Sequence, residues 1–187
     1  MLKRIFIVSA ISVSFLLMAF TYGETGTKAD GPSFVGVKTC GMCHKKDKDG
    51  NQLKVWEGTK HAKAYATLAS DEAIKIAKEK GIDDPQKAEA CLKCHASGYA
   101  EGAMVDKKFS VEDGVQCETC HGAGSEYKSM KTMKDHAKAV AAGMKDLSGE
   151  GAAEALCKTC HNEESPTFKG FNFSEKYKEI SHMIPKG

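Results

Sequence analysis

A Cys-x-x-Cys-His pentad occurs four times in this chain, at residues 40–44, 91–95, 117–121 and 157–161, and the four copies consume all eight cysteines. Residues at i, i+3 and i+4 share one face of a helical turn. Cys40, Cys43 and His44 therefore point at one object, as do Cys91, Cys94 and His95, then Cys117, Cys120 and His121, then Cys157, Cys160 and His161. A haem fits that geometry: two thiols add across its vinyl groups, and the adjacent imidazole reaches the iron as proximal ligand. Structural zinc or a redox dithiol would use the cysteine pairs, but neither needs a histidine in the same place after every pair. The pattern calls for four covalently bound haem c groups, each carrying iron.

Four haems dictate the fold class. Large apolar side chains are sparse after residue 36, where Ala, Gly and Lys dominate. With about 40 residues per haem, the chain is at the size where a cofactor or other staple is needed for folding. The expectation is a mainly α protein with very little β, built of short helices and loops wrapped around the haems, and unfolded without them.

The N-terminus addresses the chain. Lys3 and Arg4 precede an apolar run over residues 5–20. That run is shorter than the ~20 residues of a spanning helix and fits a secretory signal at 1–23, so a periplasmic location is expected and an uncleaved anchor is the alternative. Residues 24–33 read as a flexible lead, and 34–187 as one tetrahaem domain. Removing Lys3 and Arg4 from 27 basic residues leaves 25, against 25 acidic ones. The only arginine goes with the leader. Without that bidentate fork, and without net positive charge, nucleic acid is not an expected partner.

Local signals place the motifs. Residues 47–51 form a turn before a segment carrying Trp56, whose ring suits either ordinary core or a haem edge. A helical stretch follows from His61 to Leu68, Ser70 caps a second helix ending at Gly81, and Asp84-Pro85 has the chemistry to start the helix delivering Cys91. Residues 96–105 read as a loop and 108–111 as a short extended segment. Ser125 is expected to cap the longest helix, 126–142, and Ser174 a final one.

Histidine stoichiometry sets a limit. Beyond the pentads stand His61, His136 and His182, candidates for the far side of the irons. Four irons need eight axial ligands and the chain owns seven histidines, so at least one iron lacks a second imidazole. A methionine such as Met104, Met130 or Met133 fills that position, or it is open.

Several motifs together resemble the tetrahaem cytochrome c-554 family: Trp56-x-x-Thr59-x-His61-Ala62, Cys91-Leu92-Lys93-Cys94-His95, Gly114-Val115-Gln116-Cys117-Glu118-Thr119-Cys120-His121-Gly122, Asp135-His136 and Ser165-Pro166-x-Phe168. The resemblance implies a mostly helical periplasmic protein that passes electrons between other redox proteins. It also implies that His61 ligates the third haem, His136 the first and His182 the fourth, and that the second haem, on His95, is five-coordinate. The competing class is an enzyme acting on a small nitrogen or oxygen species at an open iron. No Ser-His-Asp set or phosphate loop competes for the chain, so no catalytic side chain is expected.

Overall fold

The computed structural model of the protein describes residues 31–100 and 103–184, so the expected leader and most of the flexible lead lie outside the described residues. The described chain is helical: α1 Val37–Gly41, α2 Gln52–Glu57, α3 Ala64–Thr67, α4 Asp71–Glu79, α5 Glu89–His95, α6 Cys117–His121, α7 Met130–Met133, α8 His136–Ala141, α9 Ala152–Lys158 and α10 Phe173–Ile180. Pairing of strands is confined, among these residues, to one parallel bridge between Phe34 and Val105. No helix among them is long and apolar enough to cross a membrane.

Short polar side chains explain where the helices begin. Asn51 accepts from the Lys54 N–H to start α2, and Ser70 accepts from Ala73 to start α4. The same chemistry breaks the long helix expected over 126–142. Ser129 caps α7 through Thr132, and Asp135 caps α8 through Lys138, so two local caps outcompete one continuous helix. The longest helix among the described residues is α4 instead.

Three other expectations shift. Asp84 closes a turn onto the N–H of Gln86, and α5 begins later, at Glu89. The extended segment expected at 108–111 is a turn followed by a 3-10 helix at Val111–Asp113; the bridge falls at Val105, where Phe34 N–H donates to the Met104 carbonyl. Helix α10 is capped by Asn172 rather than Ser174.

Buried apolar side chains are few. Leu68, Leu92 and Ala96 form a small cluster lined by Tyr65, Cys91, Tyr99 and Val111, beneath the second pentad. Val35, Val37, Val115 and Tyr127 are buried elsewhere, beside the buried polar residues Gln116 and Glu118. Trp56 crosses between motifs, its indole N–H donating to the Val115 carbonyl at 2.8 Å.

Candidate haem centres

Each pentad is held in the helical turn its chemistry requires. The second and third pentads lie in α5 and α6. The first and fourth begin at the ends of α1 and α9 and run into turns, yet His44 N–H still reaches the Cys40 carbonyl at 3.1 Å and His161 N–H the Cys157 carbonyl at 2.9 Å. Two thiols and an imidazole thus stay on one face in all four.

Cysteines of different pentads lie near one another. Cys40 and Cys117 share a hydrogen bond, and that bond with burial pushes the Cys40 thiol far up while lowering Cys117. Burial, then the charge of Cys157, pushes Cys120 up to about 11. Burial followed by the charge and hydrogen bond of Cys160 pushes Cys94 up to about 11 as well. Cys160 also donates to the Lys93 carbonyl at 3.6 Å, and Lys93 pairs with Glu164 across the same join. By proximity the attachment points run in the order first, third, fourth, second.

Two of the three extra histidines face a pentad histidine. The rings of His61 and His161 are 6.0 Å apart between centres, and those of His121 and His182 are 5.9 Å apart. Counted in chain order, the resemblance sets His61 on the haem of His121 and His182 on that of His161; the structure brings together the opposite pairs. His136 stands exposed, its Nε2 3.7 Å from Asp146 Oδ1. Phe171 stacks on His161 with centres 4.7 Å apart, fixing the plane of that ring.

The donor set fits haem iron. Each pair of rings, with centres about 6 Å apart, leaves room for one metal ion that two imidazoles would hold, and the neighbouring cysteine pair would supply thioether sulfurs to haem. Burial, reinforced by His182, His44 and Lys145, lowers His121 to about 4. Burial and then His161 lower His61, and burial lowers His161. These rings are neutral at neutral pH, the form that offers a nitrogen lone pair.

His95 is held differently. Its Nδ1 lies 2.8 Å from the Ala64 carbonyl, which requires the proton on Nδ1 and leaves Nε2 as the free donor. Ala64 follows the 3-10 turn His61–Lys63, so one short segment both carries His61 and orients His95.

Polar residues in and beside the third pentad escaped the sequence reading. Gln116 accepts from Val37 N–H and donates to the Ser110 carbonyl, and Ser97 Oγ accepts from Gln116 N–H. Glu118 accepts three backbone N–H groups. The available signal was weak: within Gln116-Cys117-Glu118-Thr119-Cys120 two large polar side chains flank a cysteine in a helix of five residues, a context that reads as solvent-facing.

The family model described as cytochrome c554 and c-prime matches residues 39–122, which span the first three pentads. Cytochrome c-554 of Nitrosomonas europaea is 31% identical over 206 residues, covering 91% of this chain and 82% of the relative. No solved structure matches the chain.

Proposed function

The chain belongs to the cytochrome c-554 family, and on that premise we propose that it carries electrons between other redox proteins in the periplasm, using four covalently bound haem c groups. The observation that carries the proposal is the proximity of the pentads: Cys40 lies beside Cys117, Cys157 lies near enough to Cys120 for its charge to act there, and Cys160 donates to the carbonyl of Lys93, next to Cys94. Haem c, when bound, supplies a one-electron iron couple.

The chain's own residues hold and orient that group. Cys40 and Cys43, Cys91 and Cys94, Cys117 and Cys120, and Cys157 and Cys160 each supply a pair of thioether sulfurs. His44, His95, His121 and His161 are the proximal ligands. The ring spacings support His61 opposite His161 and His182 opposite His121; His136 is the remaining imidazole, available to His44. Residues 1–23 direct export and 34–187 form the haem domain.

Intact mass of the mature protein should show four haem additions, and redox titration four electrons per chain, with reversible exchange to small one-electron mediators. Fewer than four additions would defeat the assignment. A second reading, turnover of a small nitrogen or oxygen species, is favoured by one observation: His95 Nε2 is left as a single oriented donor by the Nδ1 bond to Ala64. Sustained reoxidation of the reduced protein by nitric oxide, nitrite, hydroxylamine or peroxide would establish that reading; stoichiometric reoxidation alone would exclude it.

A further inference from the structure

Glu118 is 1% exposed, although it lies between the two cysteines of the third pentad. Its Oε1 accepts from Val35 N–H at 2.8 Å and from Gly124 N–H at 2.7 Å, and its Oε2 accepts from Gly36 N–H at 2.8 Å. Both oxygens accept and neither faces an acceptor, which is the pattern of an ionised carboxylate. Glu118 enters no ion pair among the described residues. The negative charge is therefore held by backbone N–H dipoles alone.

Those N–H groups are not scattered. Gly36 is the N-cap of α1, the helix that carries Cys40, and Val37 is its first residue. The first N–H groups of a helix have no partner within it. Here Glu118 takes Gly36, Gln116 takes Val37 at 2.8 Å, and the preceding Val35 also goes to Glu118. The third pentad thus caps the helix of the first, and a carboxylate sits at that helix's positive end. The cradle is tight: a Cβ at Gly124 would lie 3.1 Å from Glu118 Oε1 and 3.0 Å from Val35 Cγ2. The same charge contributes, after larger causes, to raising the Cys40 thiol and the buried Tyr127 phenol.

We propose that Glu118 is a positioning residue that clamps the first and third haem attachments together and, as a buried negative charge beside Cys40 and Cys117, biases those two haems toward ferric iron. The proposal rests on haem attachment at these cysteines. The clamp follows from which backbone groups the carboxylate bonds. The bias follows from sign: oxidised iron carries one more positive charge, and a nearby fixed anion favours it. At an effective dielectric of about 20, a unit charge about 12 Å from a redox centre shifts its equilibrium about tenfold.

The test compares the wild-type holoprotein with Glu118→Gln and Glu118→Asp by intact mass, spectroelectrochemical titration and electron paramagnetic resonance. Gln keeps the length and removes the charge; its one carbonyl can retain the Val35 and Gly124 bonds but sets an amide against Gly36. Asp keeps the charge and shortens the reach. With Gln, two of the four haems should become about tenfold easier to reduce, or 59 mV higher for a one-electron couple, while Asp leaves the potentials within twofold and alters the magnetic interaction between the two irons. Maturation of Asp but not Gln also supports a required carboxylate. Gln that matures with wild-type potentials and wild-type magnetic interaction overturns the proposal. Failure of both variants to mature assigns Glu118 to packing and rejects the role of its charge. A wild type lacking haem at Cys40 or Cys117 instead defeats the electron-carrier reading beneath it.

Discussion

Replacing Gly114 with Ala tests whether the approach of the third pentad to the His61 turn places His61. Gly114 has φ 72° and ψ −142°, a region that side chains other than glycine avoid at a cost of about 1–3 kcal/mol. A Cβ there would lie 2.7 Å from the His61 carbonyl oxygen and 3.3 Å from Ala64 N, both backbone atoms that cannot swing aside. Such overpacking costs about 1–3 kcal/mol more. The His61 carbonyl already accepts from Val115 N–H at 3.0 Å, so the added methyl pushes on the same joint that fixes the turn. The two costs together come to about 4 kcal/mol at mid-range, which in a chain of this size lowers the melting temperature by about 10 °C. The turn carries His61 and, at Ala64, the carbonyl that holds His95, so the oxidised holoprotein should also gain high-spin iron in absorption and paramagnetic resonance spectra. Gly81→Ala is the control: its φ is also positive, at 70°, but nothing lies within 4 Å, so it should cost about 1–2 kcal/mol with no spin change. Gly114→Ala matching that control in both stability and spectrum would refute the reasoning.

Other perturbations read different parts of the site. Seven histidines cannot fill eight axial positions, so the ferrous protein should bind carbon monoxide at one haem in four; uptake by none would point to a methionine ligand such as Met104, Met130 or Met133. Burial favours the neutral form of His121, the form that offers a lone pair to iron. The low-spin spectrum of the holoprotein should therefore hold as pH falls through 6.5, the ordinary histidine value; conversion already near pH 6.5 would contradict a buried ring held on iron. Protein matured without haem attachment should lack cooperative thermal unfolding by circular dichroism, because the described residues bury only nine apolar side chains, three of them alanine. A well-folded apoprotein would show that this small core suffices.

The features decided by sequence are those whose physics is local. A thiol pair and an imidazole at i, i+3 and i+4 meet on one turn whatever the rest of the chain does, so the helical turn of each pentad was legible, as was the cap Ser70. The limit on ligands also came from counting: four irons would need eight axial ligands, and the chain has seven histidines. Competition between neighbouring local signals was harder to judge: Ser129 and Asp135 broke a helix whose apolar spacing alone favoured continuity. Only the tertiary structure could decide which distant segments meet. His61 faces His161 across 100 positions, and His182 faces His121 although another pentad lies between them in sequence. The burial of Glu118 was equally invisible, because its exposure depends on Val35, Gly36 and Gly124 folding over it. An acidic residue in the first turn of a helix satisfies local rules whether it faces water or caps another helix. The difference is made by backbone N–H groups more than 80 positions away in sequence, at Val35 and Gly36, whose need for an acceptor no local pattern records.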